Sequence, residues 1–192
     1  MTERATDATI TPADVTLRRA LSSDAAALAI FAARTFEEAF GAQNRPEDMA
    51  AHLATHYGPR QQAAEIADPE TVVVVMESGE GLVAYAKVRR SVPPPCVADE
   101  RPVELHRFYV DRRWHGRGLA GRLMDAARRA GLELGGRVMW LSVWEQNPRA
   151  IAFYAKVGFR DVGSADFHVG SDRQTDRILV TALDGSRSAG GS

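Results

Sequence analysis

The chain has little cysteine, no long apolar run and almost no net charge, and each of these absences excludes a class of protein. Its 192 residues include one cysteine, Cys96, which cannot form an internal disulfide, so nothing indicates an oxidising compartment. The longest strongly apolar run near the N-terminus extends only from Ala25 to Ala33, well short of the ~20 residues that cross a membrane. Lysine and arginine (24) balance aspartate and glutamate (25) for a formal charge of −1, whereas nucleic-acid-binding domains normally carry a basic surface. We therefore expect a soluble, cytoplasmic protein with no membrane or nucleic-acid partner.

Two phosphate-binding motifs are also missing, as are signs of several domains. There is no G-x-x-x-x-G-K-[ST], which excludes a P-loop NTPase, and no G-x-G-x-x-G with an acidic residue ~20 positions later, which leaves a dinucleotide fold unsupported. No repeat, charge block or Gly/Ser-rich linker divides the chain, and its length suits one domain. We predict a flexible N-terminal arm at 1–13, one domain at 14–184 and a disordered tail at 185–192.

The apolar residues alternate between the period of strands and the period of helices, which is typical of a mixed α/β fold. The predicted order is βαα(α)βββαβαββ. Strands are predicted at 15–19, 71–76, 81–88, 103–110, 138–143, 159–169 and 178–183. Helices are predicted at 25–39, 46–58, 60–67, 119–130 and 148–157.

The segment that follows the strand 103–110 carries the chemistry. Gly116 and Gly118 stand where the next helix begins, and glycines there let a ligand approach the backbone closely. The first N–H groups of a helix have no partner within it, and the helix dipole adds partial positive charge, so this point suits an anion such as phosphate. Alternatively, the segment is an ordinary strand–turn–helix with an exposed basic edge. Further cationic donors are available from Arg112, Arg113 and Arg117.

Two segments together resemble the GCN5-related N-acetyltransferase (GNAT) family. Arg113-x-x-Gly116-x-Gly118 matches the family signature [Q/R]-x-x-G-x-[G/A], between a strand and an amphipathic helix. The segment 141–159 is similar to the second family motif: a strand, a helix that opens at Asn147, an aromatic pair and a Gly-Phe exit. The resemblance implies one layered α/β domain over 14–184, with a central mixed, mostly antiparallel sheet flanked by helices.

Three further segments, 35–48, 104–110 and 170–176, are similar to bacterial spermine/spermidine acetyltransferases of the PaiA type. This resemblance implies acetyl transfer from acetyl-CoA to a primary amine by direct attack in a ternary complex, with a polyamine or similar small amine as acceptor. Two alternatives stay open. The enzyme acetylates a protein N-terminus, an antibiotic or an amino acid, or the chain is a non-catalytic CoA-binding regulatory module.

The resemblance assigns the acetyl-CoA contacts mainly to the glycine loop and to the strand before it. Backbone N–H groups of the loop would bind the pyrophosphate, and backbone groups at 108–110 would meet the pantetheine and thioester. Asn147 is a good helix cap in its own right, and by resemblance its side chain also touches the cofactor. The implied contact residues are Phe108, Tyr109, Val110, Arg113, Trp114, His115, Gly116, Arg117, Gly118, Leu119, Ala120, Asn147, Ala150, Phe153 and Lys156.

Two side chains are the predicted catalytic residues. Tyr154 lies at the position of the family's usual general acid, where a phenol can supply a proton to the leaving thiolate. Glu104 is the first choice for the base that takes the proton from the amine, and His106 is the second. Strand alternation predicts that Glu104, His106 and Phe108 share one face. Polar residues in a central strand are costly to bury without a reason, which favours a functional role for them.

The acceptor site is predicted on the early helices. Glu37 and Glu38, with His106, would bind a cationic amine, although a solvated acidic helix face explains the carboxylates equally well. His52 and His56 have a spacing that can bind metal, but no third ligand is evident and the mechanism needs none, so no metal is expected. A homodimer is common in the family.

Overall fold

A computed structural model describes residues 11–41, 44–169 and 172–183 of the chain. Most of the predicted arm at 1–13 and all of the predicted tail at 185–192 lie outside these residues. The strands are β1 (Thr16–Arg19), β2 (Thr71–Ser78), β3 (Gly81–Arg89), β4 (Pro102–Val110), β5 (Val138–Trp144), β6 (Arg160–Val169) and β7 (Asp172–Ala182). The helices are α1 (Ala25–Phe40), α2 (Pro46–His56), α3 (Pro59–Ala67), α4 (Leu119–Glu133) and α5 (Pro148–Lys156).

The strands form one seven-stranded sheet in the order β1-β2-β3-β4-β5-β7-β6. Every neighbouring pair is antiparallel except β4 and β5, which are parallel because α4 connects them as a crossover. The predicted order of elements and the mixed, mostly antiparallel sheet are both confirmed.

Helices cover both faces of this sheet. The larger core cluster contains the buried residues of α4, and side chains of α5 pack against it. A second cluster lies under α1 and α2 on the opposite face. β2 contributes to both clusters, with Val72 and Val74 on the α4 side and Val73 and Val75 on the α1 side. β2 has an unbroken run of valines because a strand that is buried on both faces of the sheet needs apolar side chains on both faces.

The predicted alternation along β4 is wrong because the strand contains a bulge. Lys87 of β3 is in register with Arg107, but the next residue, Val88, is in register with Leu105, which leaves His106 as an extra residue. Leu105 and Phe108 consequently both point to the α4 side. Glu104 therefore shares its face with Arg107 and Tyr109 and lies opposite Phe108.

Two element ends also differ from the sequence prediction. α4 runs past Gly131 to Glu133, and a Cβ at that glycine would lie 2.8 Å from Cδ1 of Leu183, so the glycine serves close packing and does not end the helix. β7 begins at Asp172 and not at 178, because its polar first half already pairs with β6, from Asp172 with Val169 to Arg177 with Ser164.

Candidate active site

The site lies where β4 and β5 separate. Their parallel pairing is confined to Pro102–Glu104 and Val138–Trp140, while β4 continues to Val110 and β5 to Trp144. Backbone N–H and C=O groups of strands require partners, so the edge of β4 that faces the opening can pair with an amide-containing ligand. The residues predicted to meet the pantetheine, Phe108, Tyr109 and Val110, belong to this part of β4.

The turn after β4 is held by Asp111, which the sequence analysis did not select. Its buried carboxylate accepts hydrogen bonds from the backbone N–H of Arg113 at 2.9 Å and from Nη2 of Arg34 on α1 at 2.7 Å. Burial alone would raise the pKa of Asp111, but the bonds from Arg113 and Arg34 outweigh it and lower the pKa to about 2. Arg113 is thus turned toward Asp111, and Trp114 is buried in the core.

The two glycines of the loop both adopt left-handed backbone conformations, with φ of +77° at Gly116 and +82° at Gly118. Within the described ranges, no atom lies within 4 Å of a Cβ placed at either position, which leaves space above the loop for a ligand. α4 begins at Leu119, which is fully buried, and no side chain caps its first turn. The free N–H groups and the helix dipole make this end of α4 suited to a phosphate anion.

His115 connects the loop to α5. Its Nδ1 lies 2.7 Å from Nη2 of Arg149, and its Nε2 lies 2.8 Å from the carbonyl oxygen of Val110. Because an arginine can only donate, Nδ1 must accept and the ring proton resides on Nε2, which donates to Val110. The imidazole therefore fixes the end of β4 beside the start of α5. Arg117, also in the loop, packs its guanidinium 5.3 Å from the ring centre of Trp114.

The structure places the predicted residues of α5 along the side of the opening. Oδ1 of Asn147 accepts from the N–H of Ala150 at 3.1 Å, which confirms the helix cap, and its side-chain NH₂ is left for another acceptor. Phe153 stacks on Phe108 with ring centres 5.6 Å apart. Lys156 is exposed at the end of the helix.

Tyr154 lies among aromatic rings beside the open part of β4. Its ring centre is 5.5 Å from that of Phe153, 5.5 Å from that of Phe159 and 6.2 Å from that of Phe108. Burial, together with the nearby Tyr109, raises the pKa of the phenol above its ordinary value. Tyr154 therefore keeps its proton at neutral pH, as a general acid must.

Glu104 is buried at the point where β4 and β5 part. Its Oε2 lies 2.6 Å from Nε of Arg89 on β3, so the carboxylate is held in an ion pair. His106 occupies the bulge two residues further, and its buried Nδ1 finds no hydrogen-bond partner in the described part of the chain. Burial and then the charge of Lys87 strongly lower the pKa of His106, so its imidazole is neutral.

The structure does not bring Glu37 and Glu38 together with these residues in one cluster. Glu38 accepts from Nη1 of Arg34 at 2.8 Å, and the same arginine binds Asp111 at the far end of β4. Glu37 is exposed on α1. Instead, cations of β3 and β4 lie beside His106, among them Lys87 and Arg107. Arg107 was not among the predicted site residues. The sequence feature that could have indicated it is a charged residue within a central strand.

Within the described ranges, no group of three or more His, Cys, Asp or Glu side chains is placed to hold a metal ion. His52 and His56 do lie together, with ring centres 4.6 Å apart. None of the helices in the described part of the chain is long and apolar enough to span a membrane.

Comparison with known proteins gives one consistent result. A family model described as "Acetyltransferase (GNAT) family" matches residues 33–159. An uncharacterized N-acetyltransferase of Lactobacillus delbrueckii subsp. lactis is 34% identical over 149 residues, which cover 78% of this chain and 86% of the relative. The uncharacterized N-acetyltransferase Rv2669 of Mycobacterium tuberculosis is 32% identical over 84% of this chain and 99% of its own length.

Two further matches are shorter or more distant. The spermine/spermidine N(1)-acetyltransferase of Bacillus subtilis is 36% identical over 67 residues, 34% of this chain and 44% of that protein. Among solved structures, the PaiA N-acetyltransferase of Thermoplasma acidophilum in complex with coenzyme A superposes with a TM-score of 0.70 at 17% identity. That match covers 88% of this chain and 98% of the other, and it shows that the fold is shared.

Proposed function

This chain belongs to the acetyltransferase (GNAT) family, and from that premise we propose that it moves an acetyl group from acetyl-CoA to a primary amine of a small molecule by direct attack in a ternary complex. The proposal is supported mainly by two features that lie next to each other, the start of α4 and the open edge of β4. The uncapped start of α4 with Gly116 and Gly118 suits a phosphate anion, and the edge of β4 beside it is open to an amide-containing chain.

The residues present fit the two chemical parts of coenzyme A. Backbone N–H groups at 116–120 would bind the pyrophosphate, because both glycines leave the loop open. The backbone of 108–110 would pair with the pantetheine amides, while Ala150, Phe153 and the NH₂ of Asn147 would border it. When bound, acetyl-CoA supplies an acetyl thioester.

Tyr154 would act as the general acid. As the amine nitrogen bonds to the carbonyl carbon and the carbon–sulfur bond breaks, the phenol would give its proton to the departing sulfur. Its raised pKa keeps that proton available until a thiolate develops.

Glu104 or His106 would take the proton that the ammonium must lose before attack, directly or through water. Glu104 has the charge for this role but is bound to Arg89. His106 is neutral and has a free Nδ1, but its lowered pKa makes it the weaker base. The cations around both residues would lower the pKa of a nearby ammonium, although those beside His106 lower its own pKa as well.

A polyamine is the acceptor predicted from the sequence, and the name of the Bacillus subtilis relative supports it. The exposed carboxylate of Glu37 could attract such a cation. Two observations argue against a polyamine: the carboxylate of Glu38 is already paired with Arg34, and the cations near His106 would repel a second ammonium. The proposed function therefore covers small primary amines in general, with polyamines as one class to test.

The test is thiol release from acetyl-CoA over a panel of spermidine, spermine, amino acids and short peptides. We expect release that requires the protein, acetyl-CoA and at least one amine together. A peptide-only response would favour the alternative of protein N-terminal acetylation. If no amine gives release although coenzyme A raises the melting temperature, the non-catalytic regulatory module is favoured and the proposed function is wrong.

A further inference from the structure

Five charged side chains lie together where α1–α3 cover β3 and β4. They are the cations Lys87, Arg89 and Arg107 and the carboxylates Glu65, on α3, and Glu104, on β4. Nζ of Lys87 pairs with Oε1 of Glu65 at 2.6 Å, and Nε of Arg89 pairs with Oε2 of Glu104 at 2.6 Å. Both carboxylates are thus engaged by a cation. Arg107 forms no salt bridge within the part of the chain that the structure describes, although Glu65 is near enough to act on its charge, so these five side chains carry one positive charge in excess.

The neighbours of Arg107 orient its guanidinium without neutralising it. The guanidinium carbon lies 4.4 Å from the ring centre of Tyr57 and 5.7 Å from that of Phe36. One Nη1–H donates to the hydroxyl of Tyr57, and Tyr109 also shares a hydrogen bond with the guanidinium. A guanidinium carries five N–H donors in a planar fork, so donors remain for an anion, and a half-buried charge without a counter-ion is costly unless a ligand supplies one.

Two unpartnered imidazole nitrogens lie next to this guanidinium. Nδ1 of His106 and Nε2 of His52 are both buried and have no hydrogen-bond partner among the described residues. His106 precedes Arg107 in the bulge of β4, and His52 stacks at 4.8 Å on Phe36, the ring that also contacts Arg107. Burial, His56 and Arg107 lower the pKa of His52 to about 4, so both imidazoles are neutral and each can offer one N–H donor.

We propose that the acceptor amine carries a carboxylate, which Arg107 binds with help from His52 and, where Glu104 is the base, from Nδ1 of His106. This inference rests on the proposed function and names its substrate class: a small amino acid in place of a polyamine. Arg107 is a planar donor that matches a carboxylate with two parallel hydrogen bonds. The phosphates of acetyl-CoA are not its partner, because Arg107 lies under α1 and α2, on the face opposite α4.

The position of Arg107 also suits the reaction geometry. It shares a strand face with Glu104, the first candidate for the base, and follows His106, the second. An amino group and a carboxylate separated by a few bonds would then meet the base and the guanidinium respectively. A second ammonium in place of the carboxylate would be repelled by Arg107.

The experiment compares matched acceptors by thiol release. Each amino acid is paired with its carboxamide, which removes the negative charge. 4-Aminobutyrate is paired with 1,4-diaminobutane, in which a cationic aminomethyl group replaces the carboxylate. For the preferred amino acid, we expect kcat/KM about tenfold or more above that of its amide. Arg107→Gln should bring this ratio close to one, mainly by raising KM for the acid, and Arg107→Lys should restore part of the preference.

Arg129→Gln provides the control, since it removes an exposed arginine of α4 on the other face of the sheet. It should leave the acid-to-amide ratio unchanged, and Arg107→Gln should keep the rise in melting temperature caused by acetyl-CoA. Faster turnover of polyamines or amides than of acids would overturn the inference while leaving the proposed function intact. If no amine is acetylated, the proposed function fails. In that case the carboxylate site is tested by binding: the rise in melting temperature of the coenzyme A complex is measured with each acid and with its amide. Equal rises for the acid and the amide would overturn the carboxylate site.

Discussion

The phenol of Tyr154 has two roles that a single-atom change can separate. Its ring packs against Phe108, Phe153 and Phe159, and its hydroxyl is the proposed proton donor. The sequence supports both roles, because Tyr154 shares an apolar helix face and also lies where the family has its usual general acid, which favours catalysis. Burial among these rings raises the pKa of Tyr154, which is compatible with both roles, so a variant is needed to separate them.

Tyr154→Phe keeps the ring and removes the proton. We expect kcat to fall by about 100-fold, because general acid catalysis typically contributes that much or more. The rise in melting temperature on adding acetyl-CoA should match that of the unaltered protein, which shows that the fold and the cofactor site persist. Unaltered kcat would exclude Tyr154 as the acid and leave it a packing residue.

Most elements of the fold could be predicted because their signals are local. The buried face of α4, with Leu119, Leu123 and Ala127, follows helical spacing and is confirmed. The bulge at His106 could not be predicted, because an extra residue in one strand is visible only against its partner, here Lys87 and Val88 of β3. That single residue decides which side chains of β4 lie on which face of the sheet, so the alternation predicted for β4 was wrong.

Parts of the candidate site that are continuous in sequence could be predicted, whereas parts assembled from separate elements could not. The glycine loop is continuous in sequence, so Gly116 and Gly118 were found directly. Arg107 and its surroundings are assembled from α1, α2 and β4, and pairings such as that of Lys87 with Glu65 of α3 depend on tertiary packing. No spacing in the sequence indicates them.

The start of α4 gives a prediction at the scale of an element. Gly118→Glu places a side chain where φ is +82° and sets a carboxylate where the pyrophosphate would bind. We expect the substitution to abolish the rise in melting temperature caused by acetyl-CoA, because the added charge repels the anion. The strained backbone should also lower the free energy of unfolding by about 1–2 kcal/mol.

Gly135→Glu is the matched control. Gly135 has φ of +77° and lies just after the other end of α4, so the same substitution introduces similar strain far from the loop. This variant should lose stability but keep the full response to acetyl-CoA. A full response in Gly118→Glu as well would show that the cofactor does not bind at this helix start.

Over the whole molecule, the near-zero net charge conceals an uneven distribution. Sequence reasoning placed positive charge at the glycine loop and negative charge at the acceptor. In the structure, Arg113 of the loop is engaged by Asp111, and Arg107, on the proposed acceptor face, forms no ion pair with any residue that the structure describes. The excess charge is therefore positive where an amine would arrive, which suits a zwitterionic acceptor better than a polycation.

The same electropositive cluster makes the folded state sensitive to mild acid. His52 has a pKa lowered to about 4 by burial and by His56 and Arg107, and the pKa of His106 is also lowered, chiefly by burial and Lys87. Both are neutral when folded but bind a proton below about pH 6.5 when unfolded, so the unfolded state gains protons as the pH falls. Between pH 7 and pH 5 we expect the free energy of unfolding, measured with urea, to fall by about 3–4 kcal/mol, about 2 kcal/mol from each histidine before solvent screening reduces the share of the partly exposed His52. His52→Phe keeps the stacking on Phe36 and cannot titrate, so its loss should be about half as large. An equal loss in this variant would show that His52 is protonated in the folded protein and that its surroundings do not exclude the charge.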